Sequence, residues 1–285
     1  MSAEIIYGNV LAKEMREEMK QEVDQLRSVG KRIPCLAVIL AGNNPASLSY
    51  IKGKEKACQQ IGIDSCMFHL DENCSQSDLE KKIRECNEDE NIDGILVQLP
   101  LPEGLNEDRA LKCIDPKKDV DGLHPENVGK LFLNKKGFVP CTPKGVIELL
   151  KRAGCDFDGR RAVVIGRSKL VGSPVARLLQ NENATVTICH SHTKDVRSIS
   201  KEADIVVVAV GKPKLIDASY IKKGAYVIDV GVNRLPDGHL CGDCDFDSVK
   251  EIAGYVTPVP KGVGPMTITM LLKNTMEAYF SKGER

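Results

Sequence analysis

Val163-Val-Ile-Gly166-Arg167-Ser168-Lys-Leu-Val-Gly172-Ser-Pro174 reads as a short β-branched run, a turn bounded by two glycines, and the opening of a helix. Glycines in such a turn let the backbone approach a pyrophosphate, and the helix N-terminus supplies N–H donors and a favourable dipole. The spacing departs from G-x-G-x-x-G: Ser168 stands at the second glycine, and Gly172 comes one residue late. As a bare pattern it suits a plain βα turn nearly as well. Its setting favours the cofactor reading, because the turn opens a run of βα units. Strands are expected at 162–165, 185–189, 205–208 and 225–229, with helices between them.

The same alternation extends back toward the N-terminus. Leu11, Met15, Met19, Val23 and Leu26 recur at the spacing of one helix face, which predicts a helix over 11–29. The run Cys35-Leu-Ala-Val-Ile-Leu40 reads as a buried strand stopped by Gly42-Asn-Asn-Pro45. A helix over 45–62, a strand over 63–69 and a helix over 75–86 follow, with Ser75 as N-cap three residues ahead of Asp78. The strand over 94–99 is cut off by Pro100 and Pro102. Residues 115–143, rich in Pro, Gly, Lys and Asp, read as a domain connection. A last apolar helix over 266–280 follows the loop from Thr257 to Pro265. Such alternation implies an α/β fold of two domains, each a parallel sheet covered by helices, facing a cleft.

Composition sets the outer limits. A chain of 285 residues suits one large or two ordinary domains and can bury a core without staples. Lys plus Arg equals Asp plus Glu at 40 each, so no global field draws the chain to nucleic acid or membrane, and neither is an expected partner. The N-terminus lacks the basic start and apolar run of a signal peptide, and the longest apolar stretch, residues 205–210, is too short to span a bilayer. Eleven scattered cysteines, an odd number, read as reduced and mostly buried thiols of a cytoplasmic protein. His239-x-Cys241-x-x-Cys244 offers three zinc ligands where a structural site wants four, so no metal is expected.

Two groups of residues bear on chemistry. At the end of the second strand of the C-terminal run, a fold selecting NAD places a carboxylate for the ribose 2′-hydroxyl. Here Ile188-Cys-His190-Ser191-His192-Thr193 has none. The Ser191 hydroxyl and Arg167 guanidinium suit a 2′-phosphate, which favours NADP, although both also pass as ordinary loop residues. In the N-terminal half, Tyr50 and Lys54 share a helix face at i, i+4, as a solvated pair would. Gln98 interrupts an apolar strand at the carboxyl end, where a buried amide needs partners and where open α/β sheets place ligands. Asp119 and Asp121 lie in Lys118-Asp-Val-Asp-Gly122, which an Asx-turn would also explain.

Taken together, Asn44-Pro-Ala-Ser47, Tyr50-x-x-x-Lys54, Val97-Gln-Leu-Pro-Leu-Pro102, Lys118-Asp-Val-Asp-Gly122, Gly166-Arg-Ser168, Pro258-Val-Pro260 and Gly262-Val-Gly-Pro-Met-Thr267 resemble the bifunctional methylenetetrahydrofolate dehydrogenase/methenyltetrahydrofolate cyclohydrolases of the bacterial FolD type. The resemblance spans essentially the whole chain in order. It implies a catalytic folate-binding α/β domain at 1–139 completed by a helix at 266–285, a Rossmann-type NADP-binding domain with a parallel sheet at 140–265, a folate cleft between them, and a homodimer. It implies that Lys54 is the catalytic lysine, Tyr50 the ring-stacking tyrosine, Gln98 the residue that holds the lysine, and Asp121 the pterin-binding aspartate. Leu99, Pro100, Pro258, Gly262 and Pro265 fall around the implied folate site. Gly166, Arg167, Ser168, Gly172, Pro174 and Ser191 fall at the cofactor, and Val232 at the backbone contact to nicotinamide. Cys244 stands where valine is usual, as a small buried substitute.

One departure is Lys261, in place of a glycine of the usual Pro-Gly-Gly-Val-Gly-Pro loop. It strains the backbone if φ is positive there, or its ammonium attracts the glutamate tail of the substrate. Three alternatives stay open on sequence: a dehydrogenase without cyclohydrolase activity, a two-domain oxidoreductase of shikimate-dehydrogenase type, and a non-catalytic NADP-binding sensor.

Overall fold

The computed structural model describes residues 2–283. The chain runs through β1 (Glu4–Ile5), α1 (Gly8–Ser28), β2 (Cys35–Ala41), α2 (Pro45–Ile61), β3 (Asp64–Leu70), α3 (Gln76–Glu88), β4 (Gly94–Val97), α4 (Glu107–Cys113) and α5 (Pro125–Phe132). It continues through α6 (Cys141–Arg152), β5 (Arg161–Ile165), α7 (Gly172–Asn181), β6 (Thr185–Cys189), α8 (Val196–Ser200), β7 (Ile205–Val208) and β8 (Tyr226–Asp229). A hairpin of β9 (Asn233–Arg234) and β10 (Leu240–Cys241), then α9 (Phe246–Val249), β11 (Tyr255–Val256) and α10 (Val263–Lys282) complete it. These elements form two compact units, one of residues 13–141 with 268–283, the other of residues 2–12 with 142–267.

The first unit is built on the parallel sheet β3-β2-β4. Every residue of the central strand β2 is buried, as expected for a strand with neighbours on both edges and helices on both faces. Helix α3 begins where the sequence predicts. The Ser75 Oγ accepts from the Asp78 N–H while the Asp78 carboxylate accepts from the Ser75 N–H, a reciprocal cap that stabilises by about 1 kcal/mol. The helix buries Leu79, Ile83 and Cys86, and each such aliphatic side chain taken from water contributes roughly 1.5–3 kcal/mol. Its C-terminal carbonyls are closed off by the buried Lys118, whose Nζ donates to the carbonyl oxygens of Cys86 (3.0 Å), Asn87 (2.7 Å) and Asp89 (2.7 Å). The fully buried Asp93 carboxylate is held by Arg32 (2.7 and 2.9 Å), by Lys282 near the end of α10 (2.8 Å) and by the Cys35 N–H (2.9 Å).

The stretch 115–143 is not a plain connection. It contains α5, started by Pro125 behind a capping His124 side chain (3.1 Å from the Glu126 N–H) and buttressed by a Lys130–Glu126 ion pair at 2.6 Å. At eight residues, in a stretch rich in Pro, Gly, Lys and Asp, the helix is too short to stand out from its flanking turns.

The second unit is a six-stranded, wholly parallel sheet in the order β1-β11-β8-β7-β5-β6. Its core is β-branched, with Val163, Ile165, Val206, Val208 and Val227 among the buried side chains. The register aligns Cys189, Ile165, Val208 and Asp229 across four adjacent strands, so the turns that follow them emerge along one carboxyl edge. The edge strand β1 attaches residues 2–12 to this unit through Glu4↔Tyr255 and Ile5↔Val256. A strand of two residues has no alternation to read, so the sequence grouped these residues with the rest of 1–139. At the other end, α10 is described to Lys282, and residues 284–285 of the expected helix 266–285 lie outside the described residues. Among the described residues, no helix is long and apolar enough to cross a membrane.

Candidate active site and cofactor loop

In the first unit the predicted catalytic residues converge at the carboxyl end of β4. Helix α2 sets Tyr50 and Lys54 one turn apart, with the tyrosine 52% exposed and the lysine only 8%. Gln98 is the first residue beyond β4, fixed by its own N–H to the Ile39 carbonyl at 2.9 Å. The Lys54 Nζ donates to the Gln98 Oε1 at 2.8 Å, and the Gln98 Nε2 donates to the Leu99 carbonyl at 2.6 Å, which fixes the amide with its oxygen toward the lysine. Leu99 is partly buried and Pro100 exposed beyond it.

Asp121 completes the group electrostatically. Burial pushes the Lys54 pKa down, while the Asp121 carboxylate pulls it back up. Burial likewise pushes the Asp121 carboxyl up, opposed by the Lys54 ammonium and a hydrogen bond from Cys141. Desolvation thus works against both charged forms, and mutual attraction works for them, which brings the ionic and neutral states of the pair closer in energy than in water. A lysine so placed exchanges a proton near neutrality more readily than an exposed one.

The loop that carries Asp121 is held by Asp119. This fully buried residue forms a parallel bridge with Ile95, and its carboxylate accepts from the N–H groups of Leu123 (3.2 Å) and His124 (2.8 Å) and from the Asn127 Nδ2 (2.8 Å). Burial lifts its carboxyl to about 6 against those three donors. The Asx-turn reading was therefore right about side-chain-to-backbone bonding at Asp119, but the bonds organise a longer loop.

In the second unit the turn after β5 is shaped by contact. Gly166 has φ +127°, and a Cβ there would stand 2.2 Å from the Ala209 carbonyl oxygen; one on Gly172 would stand 2.2 Å from the Gly166 carbonyl oxygen. Neither glycine can be replaced without moving backbone. The Ser168 Oγ accepts from the Val171 (3.2 Å) and Gly172 (3.4 Å) N–H groups, and so does structurally what the missing second glycine does not. Pro174 is buried in the first turn of α7, where an absent N–H costs little.

Arg167 and Ser191 are exposed at the same edge. Partial burial, then the Arg167 charge, then His192 lower the His190 pKa, so the guanidinium acts on the turn that bears Ser191. Donors and positive charge gather where an NAD-selecting fold carries an acid. A bound NADP fits this edge: the two glycines let the turn pack tightly on backbone ahead of the α7 N-terminus, and the exposed Arg167 and Ser191 suit a 2′-phosphate. Val232, 52% exposed, lies in the turn after β8.

The loop carrying Pro258, Gly262 and Pro265 belongs to this same unit. Lys261 adopts φ +85°, so the lysine stands in the left-handed region, the first of the two readings left open by the sequence, and its carbonyl accepts from the Asn9 N–H at 3.0 Å. Cys244 is buried with its thiol pushed well above the usual range, and His239 is exposed. Among the described residues, no three His, Cys, Asp or Glu side chains are grouped to hold a metal ion.

Residues 6–121 match the model of the tetrahydrofolate dehydrogenase/cyclohydrolase catalytic domain, and residues 140–282 that of the NAD(P)-binding domain of the same family. The chain belongs to the tetrahydrofolate dehydrogenase/cyclohydrolase family. It is 56% identical over 278 residues to the bifunctional protein FolD of Bacillus cytotoxicus, covering 98% of this chain and 97% of that protein. The FolD methylenetetrahydrofolate dehydrogenase/cyclohydrolase of Campylobacter jejuni superimposes with a TM-score of 0.96 at 46% identity, over 99% of this chain and all of that one. The Trypanosoma brucei enzyme, solved with NADP and an inhibitor, superimposes at 0.95 with 40% identity over the full length of both chains. Shikimate dehydrogenase of Thermus thermophilus, at 17% identity and a TM-score of 0.53, shares the fold alone.

Within this family framework, sequence reasoning passed over two buried carboxylates of the second unit, Asp229 and Asp243. The Asp229 carboxylate accepts from the N–H groups of Gly231 (3.0 Å), Asp243 (3.0 Å) and Cys244 (2.8 Å), and burial lifts it to about 6. The available signal was an aspartate ending an otherwise apolar strand, Tyr226-Val-Ile-Asp229, the same kind of interruption that singled out Gln98.

Proposed function

We propose that this protein oxidises 5,10-methylenetetrahydrofolate to 5,10-methenyltetrahydrofolate with NADP and then hydrolyses the product to 10-formyltetrahydrofolate. The observation that carries the reading is the buried Lys54, hydrogen-bonded to a neutral amide and set beside Asp121. A dehydrogenase alone has no use for it, because oxidation leaves a cation stabilised by the adjacent nitrogen and needs no strong base. NADP, when bound, accepts the hydride. The chain's part in that step is positioning: the exposed Tyr50 ring stacks on the folate, Asp121 hydrogen-bonds the pterin, and Arg167 and Ser191 hold the 2′-phosphate. Leu99, Pro100, Pro258, Gly262 and Pro265 are assigned to folate, and Gly166, Ser168, Gly172, Pro174 and Val232 to the cofactor.

Hydrolysis requires proton transfers. The neutral Lys54 amine takes a proton from the water that adds to the methenyl carbon. The resulting ammonium returns it to N5 as the C–N5 bond breaks, and the new hydroxyl loses its proton to solvent as the formyl group forms on N10. Gln98 holds one lysine N–H without raising the amine's pKa as a carboxylate would. Its amide thereby keeps the remaining face of the nitrogen available.

In domain terms we assign 1–139 with 266–285 to folate and 140–265 to NADP, with residues 2–12 lending a strand to the latter. The scattered cysteines, none in a disulfide, support a cytoplasmic enzyme, and the family resemblance supports a homodimer, for which sedimentation is the check. The decisive assay follows reduced nicotinamide and methenyl product together. NADP reduction with little methenyl build-up, plus hydrolysis of supplied methenyltetrahydrofolate above the buffer rate, is expected. Methenyl accumulation would reduce the protein to a dehydrogenase, and tight NADP binding without turnover would make it a sensor.

A further inference from the structure

Asp243 lies at the carboxyl edge of the second sheet, 0% exposed, and no step described so far uses it. Its Oδ2 accepts from the N–H groups of Val210 (2.7 Å) and Gly211 (2.9 Å), and its Oδ1 from the Lys212 N–H (2.9 Å) and the Asn233 Nδ2 (2.8 Å). One carboxylate therefore gathers two separate turns, the one after β7 and the one after β8. Its own N–H is held in turn by Asp229, the last residue of β8. Gly231 packs so closely that a Cβ there would stand 2.2 Å from the Asp243 Cγ.

The connections run on to the cofactor loop. The turn after β7 begins at Ala209, whose N–H donates to the Ile165 carbonyl at 2.8 Å and whose carbonyl is the group that closes on Gly166. At the other end, Asn233 follows Val232 directly and pairs with Cys241 in the β9–β10 hairpin. A chain of contacts thus joins Gly166, Ala209, residues 210–212, Asp243, Asn233 and Val232. Four donors converging on a buried carboxylate is more than a turn needs for its own closure, and each such charge-assisted bond narrows the positions its partner can take.

We infer that Asp243 is a positioning residue for hydride transfer, fixing the backbone beside Val232 in register with the pyrophosphate turn at Gly166 so that the nicotinamide end of NADP is presented in one orientation. The inference rests on the assignment of Gly166 and Val232 to the cofactor. It separates the two activities, because hydrolysis of supplied methenyltetrahydrofolate in the absence of cofactor requires nothing that Asp243 holds.

The test compares Asp243→Asn and Asn233→Ala with the parent enzyme in both assays. An asparagine offers at most one oxygen and turns an NH2 toward backbone donors, so the KM for NADP is expected to rise about tenfold with a fall in the kcat of oxidation. Hydrolysis stays within about twofold, the level of an indirect effect. Asn233→Ala removes one donor only and leaves the carboxylate in place, so it shifts the NADP KM in the same direction by less, and it stands in for the first variant should that one fail to fold. Equal losses of oxidation and hydrolysis in Asn233→Ala would overturn the inference by making the cluster a general support. An unchanged NADP KM in both variants, with a raised one in Arg167→Ala, would overturn the positioning role alone. An unchanged KM in all three would overturn the cofactor assignment and the inference together.

Discussion

Both units put their working residues at the carboxyl end of a parallel sheet, but they use different parts of the chain to do so. At β4 the groups that meet are side chains, an amine on an amide beside a carboxylate, drawn from α2, the end of β4 and the loop bridged to Ile95. At β5, β7 and β8 the groups that meet are turns of backbone, shaped by Gly166 and Gly172 and tied down by Asp229 and Asp243. A proton must be handed over by an atom that can gain and lose it, so hydrolysis calls for side chains. A dinucleotide needs a fixed shape and many N–H donors, and backbone provides both.

That contrast is open to direct attack. The largest effect is expected from Lys54→Met, which should lower the hydrolysis rate by about three orders of magnitude while leaving measurable oxidation; the reverse outcome would break the division of labour. Next comes Gly166→Ala. Its Cβ would meet backbone at 2.2 Å, so NADP affinity should fall about a hundredfold with hydrolysis of methenyl substrate largely spared. Arg167→Ala should cost about tenfold in NADP affinity and little in NAD affinity, read as the ratio of the two KM values.

A subtler test uses pH. Because the Asp121 carboxylate holds the Lys54 pKa up, Asp121→Asn should move the lysine-controlled limb of the hydrolysis profile to lower pH, whatever it does to the overall rate. A limb that stays put would remove Lys54 as the group that titrates. The smallest effect belongs to Lys261→Gly, which relieves a lysine at φ +85° and should raise stability by roughly 1 kcal/mol in a denaturation midpoint. A change in folate KM alongside it would show that the ammonium also serves the substrate.

How much of this could be read beforehand follows the same division. Gln98 was legible because an amide in an apolar strand departs from what packing alone would choose, whereas Lys54 and Asp121 were reached through the family resemblance, since a Tyr–Lys pair at helical spacing and an aspartate in a turn also suit a solvated surface. The order of alternating elements gave away the fold, since α3 with its Ser75 cap and the valine-rich strands carry strong periodic signals. What stayed hidden were features created by contact. β1 has two residues and exists only through its pairing with β11. Helix α5 depends on a His124 cap that propensity does not favour. Asp243 looks like a hairpin-flanking residue until its four donors arrive from two distant turns. Its importance is set by where those turns end, which no local window contains.

The Asp93 clasp has a bearing on how the chain is made. The first unit needs Lys282 for a carboxylate that is wholly buried, yet more than a hundred residues of the other unit are translated between Asp93 and that lysine. During synthesis from the N-terminus, residues 2–12 and all of 142–267 except its last five residues are translated before α10 begins, so most of the nucleotide-binding half precedes the helix that completes the other. The half assigned to hydrolysis waits for Lys282, with Asp93 held meanwhile by Arg32 and the Cys35 N–H. A chain truncated before Lys282 should therefore lose hydrolysis before it loses NADP binding, the ratio of the two being the measurement.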